Sequence, residues 1–396
     1  MVSLVRLFRR ETLSTDFIPV IDGLRFLAIS MVVLYHVDVY ILVEAAKFQF
    51  APAVYYPWAN ILSVGHQGVQ LFFVISGFVL ALPFMRERFG LTEKRVSLGG
   101  FFLRRLTRLE PPYVLCIIGL FFVRAFVISD RYSFGDLVLS MFSSLFYSSN
   151  FVFPGELPHI NGITWSLEVE VQFYILAPFL TGAVCMIKNK LRRRLATLAL
   201  ILATAAFSWY MRSILQIHVE SLASYLQYFL SGILLCDIFL LDSDWIGGLS
   251  SIFGFLAGLA LLVLVISFDH SGSPNILIKM ISPLMILGFY LTVFGNSWWR
   301  KIFSLGLLTS IGGMCYSIYL LHWMLISLVG RFAYSRLWVS NYYAFFLIQS
   351  IVYLIPIAII SAAYFLLIEK PCMKRDWYIR LYRRLGNLTQ PAKTER

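Results

Sequence analysis

The chain has 396 residues, of which 59% are hydrophobic and only 14% are charged. Soluble globular proteins average about 25% charged residues, so this composition excludes an ordinary soluble fold. The net charge of +12 would suit a nucleic-acid partner, but the basic clusters lie between apolar runs, as in the loops of membrane proteins. We therefore expect no nucleic-acid partner. The five cysteines show neither a CxxC pair nor metal-ligand spacing, so we expect no disulfide and no metal.

Ten stretches are apolar enough to span a membrane, which takes about 20 residues each. Backbone polar groups in a bilayer must be satisfied within each segment, so the predicted fold is an all-α, polytopic transmembrane helical bundle. The apolar run inside residues 129–164 is short for a span and predicts a re-entrant or interfacial segment. The predicted spans are 19–43, 66–84, 111–128, 166–187, 195–215, 224–241, 249–267, 275–295, 303–329 and 343–368.

Lysine and arginine concentrate in four segments that lie on one side of the membrane if there are ten spans. The segments are 6–10, 85–108, 188–194 and 370–384. The positive-inside rule then predicts that both termini are cytoplasmic, as in a multi-pass protein of a bacterial inner (plasma) membrane. The predicted organisation is a cytoplasmic N-terminal segment (1–18), a transmembrane domain (19–370) and a basic cytoplasmic tail (371–396).

Within the first predicted span, residues 22–37 carry three ionisable residues, Asp22, Arg25 and His36. Arg25 and His36 are eleven residues apart, which places them on nearly the same helical face and about 16 Å apart along the axis. Ionisable groups inside a membrane indicate a functional site by default. The alternatives are a snorkelling arginine at the interface and a histidine that hydrogen-bonds to a neighbouring helix.

Two further segments carry charge at comparable positions. Glu168 and Glu170 enter the outer half of span four and point about 200° apart on the helix, so at most one of them faces a shared site. A carboxylate that faces such a site could support a histidine base. The alternative is that the carboxylate lies at the membrane interface. Arg105 and Arg108 precede span three on one helical face, where they are either a positive-inside flank or a phosphate anchor. His322, in the middle of span nine, is expected to be structural rather than catalytic.

The sequence contains five motifs that resemble those of the acyltransferase-3 family of membrane acyltransferases. In order they are DGLRFLAISMVVLYH, GVQLFFVISGF, RRLTRLEPPYVL, WSLEVEVQFYILAP and YSIYLLHWML, with EKP closing the series. The resemblance implies a membrane acyltransferase that moves an acyl group, most often acetyl, from cytoplasmic acyl-CoA (acetyl-CoA). The implied acceptor is a hydroxyl of an extracytoplasmic glycan or lipid-linked sugar in the cell envelope, and membrane lipid surrounds the enzyme.

The resemblance also implies roles for individual residues. His36 would be the base, or would carry the acyl group, with Glu170 orienting it. Arg25, Arg105 and Arg108 would hold the CoA phosphates or position its acyl arm, and Asp22 would fix Arg25. Within the matched motifs, Trp165 and His322 are the expected substrate-binding residues. We expect the loops 44–65, with Trp58, and 129–164 to select the acceptor.

The sequence departs from the family pattern at three positions. Gln70 stands where an aspartate is common, Glu168 replaces a serine and Val171 replaces a glutamate, which leaves open which glutamate pairs with His36. Some members carry a fused extracytoplasmic hydrolase-like domain, and without one we expect direct transfer or a hand-off to a separate protein. A secondary transporter with an Arg/His/Glu path is the main alternative, and a membrane scaffold would leave the buried charges unexplained.

Overall fold

The computed structural model describes residues 7–8, 10, 17–47, 62–127, 132–242, 247–267, 275–334, 342–374 and 377. Within these ranges every regular element is a helix and no strand occurs. Residues 48–61, with Trp58 and most of one predicted acceptor loop, lie outside the described part, as do most of the N-terminal segment and of the tail.

Fifteen α-helices lie within the described ranges, and three further turns have other helical geometry. These are a 3₁₀ turn before α2 (Val64–Gln67), a 3₁₀ turn before α6 (Gly162–Thr164) and a π-helical turn after α14 (Phe365–Glu369). The α-helices are α1 (Pro19–Lys47), α2 (Gly68–Arg88), α3 (Leu98–Phe126), α4 (Phe134–Leu145), α5 (Ser149–Val152), α6 (Trp165–Met186), α7 (Lys190–Ser213), α8 (Leu222–Leu241), α9 (Ile252–Ser267), α10 (Ile276–Gly295), α11 (Ser297–Phe303), α12 (Gly306–Gly313), α13 (Cys315–Ala333), α14 (Tyr342–Tyr364) and α15 (Lys370–Cys372).

Nine helical segments of the described chain are long and apolar enough to cross a membrane, and α9 is shorter at 16 residues. We call the two ends of the bundle the arginine end, near Arg25, and the histidine end, near His36. The Lys370 ammonium donates to the Leu7 carbonyl at 2.6 Å, so the two ends of the described chain meet at the arginine end. With both described ends at this end of the bundle, an even number of crossings would need α9 in addition to the nine longer segments. The integral membrane bundle expected from composition is therefore present.

The predicted ninth span, 303–329, was wrong in its boundaries. The chain forms the short α12 and then a separate spanning helix, α13, with Met314 between them. Gly312 explains the separation: a Cβ on it would lie 1.7 Å from the Asp22 carbonyl oxygen, so α12 packs against the start of α1 at backbone contact. An apolar count over 303–329 cannot detect this change of direction.

The described part of the segment 129–164 runs part of the way along α3 and then returns, which favours the re-entrant alternative over the interfacial one. The helix α4 starts beside Phe126, the last residue of α3, and descends until Tyr113 of α3 donates to the Ser144 carbonyl at 2.9 Å. Those two residues of α3 are 13 positions apart, or roughly 20 Å of helix. The chain then returns to the histidine end, where Arg124 donates to the His159 carbonyl.

Glycines set the closest helix contacts. A Cβ on Gly77 of α2 would lie 2.1 Å from the Phe229 carbonyl, and one on Gly232 of α8 would lie 2.2 Å from the Val74 carbonyl. Gly65 and Gly68 both lie in helical geometry, and their missing side chains admit the backbone of α1.

Candidate active site

The helix α1 positions the first elements of the site. Arg25 donates to the Asp22 carboxylate at 2.7 Å, across one helical turn, and both side chains are largely buried. Arg10, from the segment before α1, approaches the same carboxylate at 3.8 Å. The expectation that Asp22 fixes Arg25 agrees with this ion pair. The buried pair is satisfied at the arginine end of the same helix that carries His36.

Two cavities meet at Arg25. The larger has a volume of about 620 Å³ and the smaller, deeper one about 120 Å³, and both are lined by Arg10 and Arg25. Among the described residues around the larger cavity, six side chains are basic and one is acidic. The basic ones are Arg10, Arg25, Arg86, Lys94, Arg95 and Arg104, and the acidic one is Asp22. The larger cavity is therefore a basic cavity suited to a polyanion.

The smaller cavity, which we call the inner cavity, extends from the basic cavity into the bundle. Its wall contains the guanidinium of Arg108, the carboxylates of Glu170 and Glu369, and the tyrosine Tyr319. Glu369 ends the π-helical turn after α14 and accepts from the Ser317 amide and hydroxyl at 3.1 and 2.5 Å. Such π-helical turns are frequent at functional sites.

His36 hydrogen-bonds to a second histidine. His322 Nε2 lies 3.3 Å from His36 Nδ1, and the rings meet edge to face with their centroids 5.0 Å apart. His36 Nδ1 also lies 2.8 Å from the Val32 carbonyl, and His322 Nδ1 lies 2.8 Å from the Tyr319 carbonyl. A carbonyl can only accept, so we assign the hydrogen to Nδ1 of each neutral ring. The one hydrogen on His36 Nδ1 is then shared between the Val32 carbonyl, which is the nearer acceptor, and His322 Nε2, and the lone pair of His36 lies on its own Nε2.

Tyr319 connects the inner cavity with this histidine pair. Its hydroxyl donates to the Ile163 carbonyl and lies 2.9 Å from the Ser166 hydroxyl, while its backbone carbonyl accepts from His322. Ile163 belongs to the 3₁₀ turn that ends the re-entrant segment, and Asn161 of the same segment donates to the Leu320 carbonyl at 3.0 Å. The re-entrant segment therefore holds the start of α6 against α13.

The two glutamates that were candidates to pair with His36 have other partners. Glu170 accepts from the Ser76 hydroxyl in the wall of the inner cavity. Glu168 is fully buried and accepts from the Asn150 amide at 3.1 Å. Among the described residues, neither glutamate hydrogen-bonds to His36. The side chain that hydrogen-bonds to the His36 ring nitrogen, beside the Val32 carbonyl, is His322, which the residues alone had suggested was structural.

The arginine pair of α3 divides between two environments. Arg108 lines the inner cavity, and its Nε is buried without a hydrogen-bond partner among the described residues. Arg105 instead lies over the Phe101 ring at 3.8 Å and donates to the Phe101 carbonyl at 3.4 Å. Its neighbour Arg104 lines the basic cavity. Spacing alone could not separate these three arginines, because the register of α3 against its neighbours decides which one faces the cavities.

Trp165, expected to bind substrate, begins α6 and lies against the Tyr225 ring, with centroids 5.2 Å apart. Tyr225 in turn hydrogen-bonds to Glu220 and to Arg212 at the histidine end. The ring of Trp165 thus lies beside a polar cluster, and Trp165 is not among the residues that line the two cavities. No group of described His, Cys, Asp or Glu residues is arranged to hold a metal ion.

Sequence reasoning missed Arg10, Tyr319 and Glu369 as residues of the site. Arg10 was counted with the basic N-terminal flank, Tyr319 was unremarkable within YSIYLLHWML, and Glu369 was noted only within EKP. Each position carries a usable signal, a charge or hydroxyl beside an apolar run. The cavity that gathers them depends on contacts between α1, α3, α13 and α14, which no local pattern encodes.

Comparison with known proteins identifies relatives. A provisionally named O-acetyltransferase of Staphylococcus aureus (strain COL) is 25% identical over 337 residues, covering 79% of this chain and 51% of the relative. A provisionally named peptidoglycan O-acetyltransferase of Bacillus subtilis (strain 168) is 30% identical over 203 residues, covering 48% and 28%. A provisionally named membrane-bound transacylase of Komagataeibacter xylinus is 31% identical over 219 residues, covering 51% and 47%.

The chain thus spans about half the length, or less, of these curated relatives. No solved structure matches it. The family model described as an acyltransferase domain matches residues 18–368, from just before α1 through most of the π-helical turn after α14. Because that match covers nearly all of the helical bundle described above, the chain belongs to this acyltransferase family.

Proposed function

We propose that the protein is a membrane O-acyltransferase that moves an acyl group, in the first instance acetyl, from acyl-CoA to a hydroxyl of a glycan or lipid-linked saccharide. The observation that carries the proposal is the polar route along α1. It starts in the basic cavity, continues through the inner cavity to Tyr319, and ends at the pair formed by His322 and His36. A donor at one end and an acceptor at the other would meet along this route.

The donor end suits a phosphorylated thioester. Phosphate groups favour guanidinium partners, which offer paired donors in a fixed geometry. The basic cavity provides several such groups, and the inner cavity is a narrower continuation for an acyl arm. In this proposal Arg25 and Arg108 hold the donor, with Asp22 keeping Arg25 in place. Arg105 is left out of the donor site because its guanidinium packs on Phe101.

At the histidine end, His36 Nε2 carries the lone pair that the reaction needs. As a general base it takes the proton of the acceptor hydroxyl, the oxygen forms a bond to the thioester carbonyl carbon, and the carbon–sulfur bond breaks with the electron pair leaving on the CoA thiolate. In the alternative, Nε2 itself attacks the carbonyl and carries the acyl group to the hydroxyl. Both routes require the same tautomer, with hydrogen on His36 Nδ1.

His322 then has the role that a carboxylate has in many catalytic triads. Its Nε2 accepts from His36 Nδ1–H, so it fixes the ring orientation and stabilises positive charge as His36 gains a proton. His322 is itself fixed by the carbonyls of Ile318 and Tyr319, at 3.0 and 2.8 Å. Glu170, in the wall of the inner cavity, is proposed to position the donor rather than the base.

The acceptor is proposed to be an extracytoplasmic glycan of the cell envelope, with both chain termini on the cytoplasmic side of a bacterial inner membrane. The relatives with O-acetyltransferase and transacylase names support the transferred group and the membrane setting. One relative's name specifies peptidoglycan, which makes a peptidoglycan fragment the first acceptor to assay.

The test uses purified protein, labelled acetyl-CoA and a peptidoglycan fragment. Wild type should bind donor and form labelled product, whereas His36→Ala should bind donor normally and lose transfer by at least about 10²-fold. Arg108→Ala should weaken donor binding about tenfold, since a hydrogen bond between charged groups contributes about 1.5–3 kcal/mol. Arg105→Ala is the matched control and should leave donor affinity unchanged. Unaltered transfer by His36→Ala would refute the base, and wild type that binds no acyl-CoA would favour a transporter.

A further inference from the structure

Arg10 lies outside residues 18–368, the range that the family model matches, yet it lines both cavities. The segment that carries it is held against the bundle at two points. The Lys370 ammonium donates to the Leu7 carbonyl at 2.6 Å. Gly313 faces the Phe8 carbonyl so closely that a Cβ on Gly313 would lie 3.2 Å from the carbonyl oxygen. A residue counted as an N-terminal flank is thereby placed at the junction between the basic cavity and the inner cavity.

The charge of Arg10 is incompletely compensated by the described residues. Its carboxylate neighbour, Asp22, already forms a 2.7 Å bond with Arg25 and is 3.8 Å from Arg10. The Arg10 Nε is buried and has no hydrogen-bond partner among the described groups. Burial, together with the positive charges of Arg108 and Arg25, lowers the pKa of the Arg10 guanidinium. A buried cation in this position ordinarily requires an anion or a complete set of acceptors.

Three guanidiniums, those of Arg10, Arg25 and Arg108, gather around the inner cavity, whose lining carboxylates are Glu170 and Glu369. Both carboxylates accept from serine hydroxyls, Ser76 and Ser317. Arg25 is bonded to Asp22, so Arg10 and Arg108 are the cations that each retain a buried, unpartnered Nε. Of these two, Arg10 is the one that also faces the basic cavity.

We propose that Arg10 is a phosphate-binding residue of the donor site, placed where the nucleotide part of the donor joins its acyl-bearing arm. The inference rests on the proposed acyl-CoA donor. It adds a residue from outside the matched family domain and assigns the chemistry that this residue recognises, a phosphoanion rather than the thioester. The N-terminal segment thus contributes to donor recognition and is more than a topology signal.

The test compares two donors in the full-length protein in detergent. Arg10→Ala and the more conservative Arg10→Gln should each raise the dissociation constant for acetyl-CoA about tenfold or more, as expected for loss of a charge-assisted bond. Both should leave the affinity for S-acetylpantetheine, which carries the thioester and no phosphate, within about twofold. Arg192→Ala is the control, because it removes an exposed positive charge from the same end of the bundle.

The outcomes separate cleanly. Equal losses for both donors would overturn the phosphate assignment, and so would no loss for either. If phosphatidylglycerol vesicles displace acetyl-CoA from wild type and not from Arg10→Gln, the phosphate belongs to a lipid headgroup and the proposal is wrong. Wild type that fails to bind acetyl-CoA contradicts the proposed function itself, which is a different result. Thermal unfolding checks that each variant folds, and a folded Arg10→Gln is sufficient for the comparison.

Discussion

His322 is the residue whose role changed most between sequence and structure. Alignment favoured Glu170 as the group that orients His36, because a carboxylate is the common partner of a histidine base. The structure instead has His322 Nε2 at 3.3 Å from His36 Nδ1, with Glu170 bonded to Ser76. The spacing within α1 predicted correctly that Arg25 and His36 mark two depths. It could not identify the partner, because that contact depends on how α13 rotates against α1.

Replacing His322 tests this role. We expect His322→Ala to lower kcat about 10²-fold with little change in the KM for acetyl-CoA, because the base loses its orientation while the donor cavities stay intact. The measurement is steady-state kinetics across pH, and the pH profile should shift with the loss of kcat. The double variant His36→Ala/His322→Ala should be no slower than His36→Ala alone.

Glu170→Gln tests the other residue that was a candidate to orient His36. If Glu170 positions the donor, this substitution should act on the KM for acetyl-CoA and leave the pH profile of kcat unchanged. A loss of kcat that is larger for Glu170→Gln than for His322→Ala would return the orienting role to the carboxylate.

At the level of helices, the close contact between α2 and α8 is set by missing side chains. Gly77 faces the Phe229 carbonyl and Gly232 faces the Val74 carbonyl, each at a distance that a Cβ could not occupy. Small residues at membrane helix interfaces let backbones approach in this way. Ser76, beside Gly77, accordingly reaches Glu170 in the wall of the inner cavity. The same close contact therefore serves packing and the site.

Enlarging these glycines tests the contact. Gly77→Ala and Gly232→Ala should each lower the free energy of unfolding by about 1–3 kcal/mol, since the helices must separate. Gly182→Ala is the control, because nothing lies within 4 Å of its added Cβ. In that open position within α6, alanine should instead stabilise by about 0.5–1 kcal/mol. Thermal or denaturant unfolding in one detergent would measure all three, and equal effects would contradict the packing argument.

The α12–α13 break shows why element boundaries were less predictable than element types. The sequence pattern predicted the helical bundle and its approximate spans, because hydropathy reports the membrane directly. It merged α12 with α13, since both are apolar and their separation is dictated by contact between Gly312 and the Asp22 backbone. The re-entrant α4 was recognised as short, yet its descent beside Tyr113 is a tertiary feature.

For the whole molecule, the number of membrane crossings decides whether the two termini lie on the same side of the membrane. The contact between Lys370 and Leu7 favours an even number, which would include α9 although that helix has only 16 residues. A span of that length implies local thinning of the bilayer or packing against longer neighbours. With ten crossings, the four basic segments are predicted to lie on the side of the arginine end.

Reporter fusions test this arrangement. Fusions of a fluorescent protein or of alkaline phosphatase after Trp245 and after Ser271 lie on either side of α9 in the chain. If α9 crosses the membrane, the two fusion sites should give opposite results. A fusion at the C-terminus should be fluorescent and without phosphatase activity, which indicates a cytoplasmic end. Identical results at the two flanking sites would remove α9 from the crossings and require the termini to lie on opposite sides.

The hydroxyl of Tyr319 donates to the Ile163 carbonyl and lies beside the Ser166 hydroxyl, and this contact bears on how the protein keeps the two sides of the membrane separate. Tyr319 lies in the wall of the inner cavity and its backbone carbonyl accepts from His322, so this residue stands between the cavity and the histidine pair. Under the proposed function, an enzyme built this way moves only the acyl group across the barrier and retains the nucleotide part of the donor on its own side. The compartment that holds the acceptor then needs neither a pool of activated donor nor a pathway to recycle one.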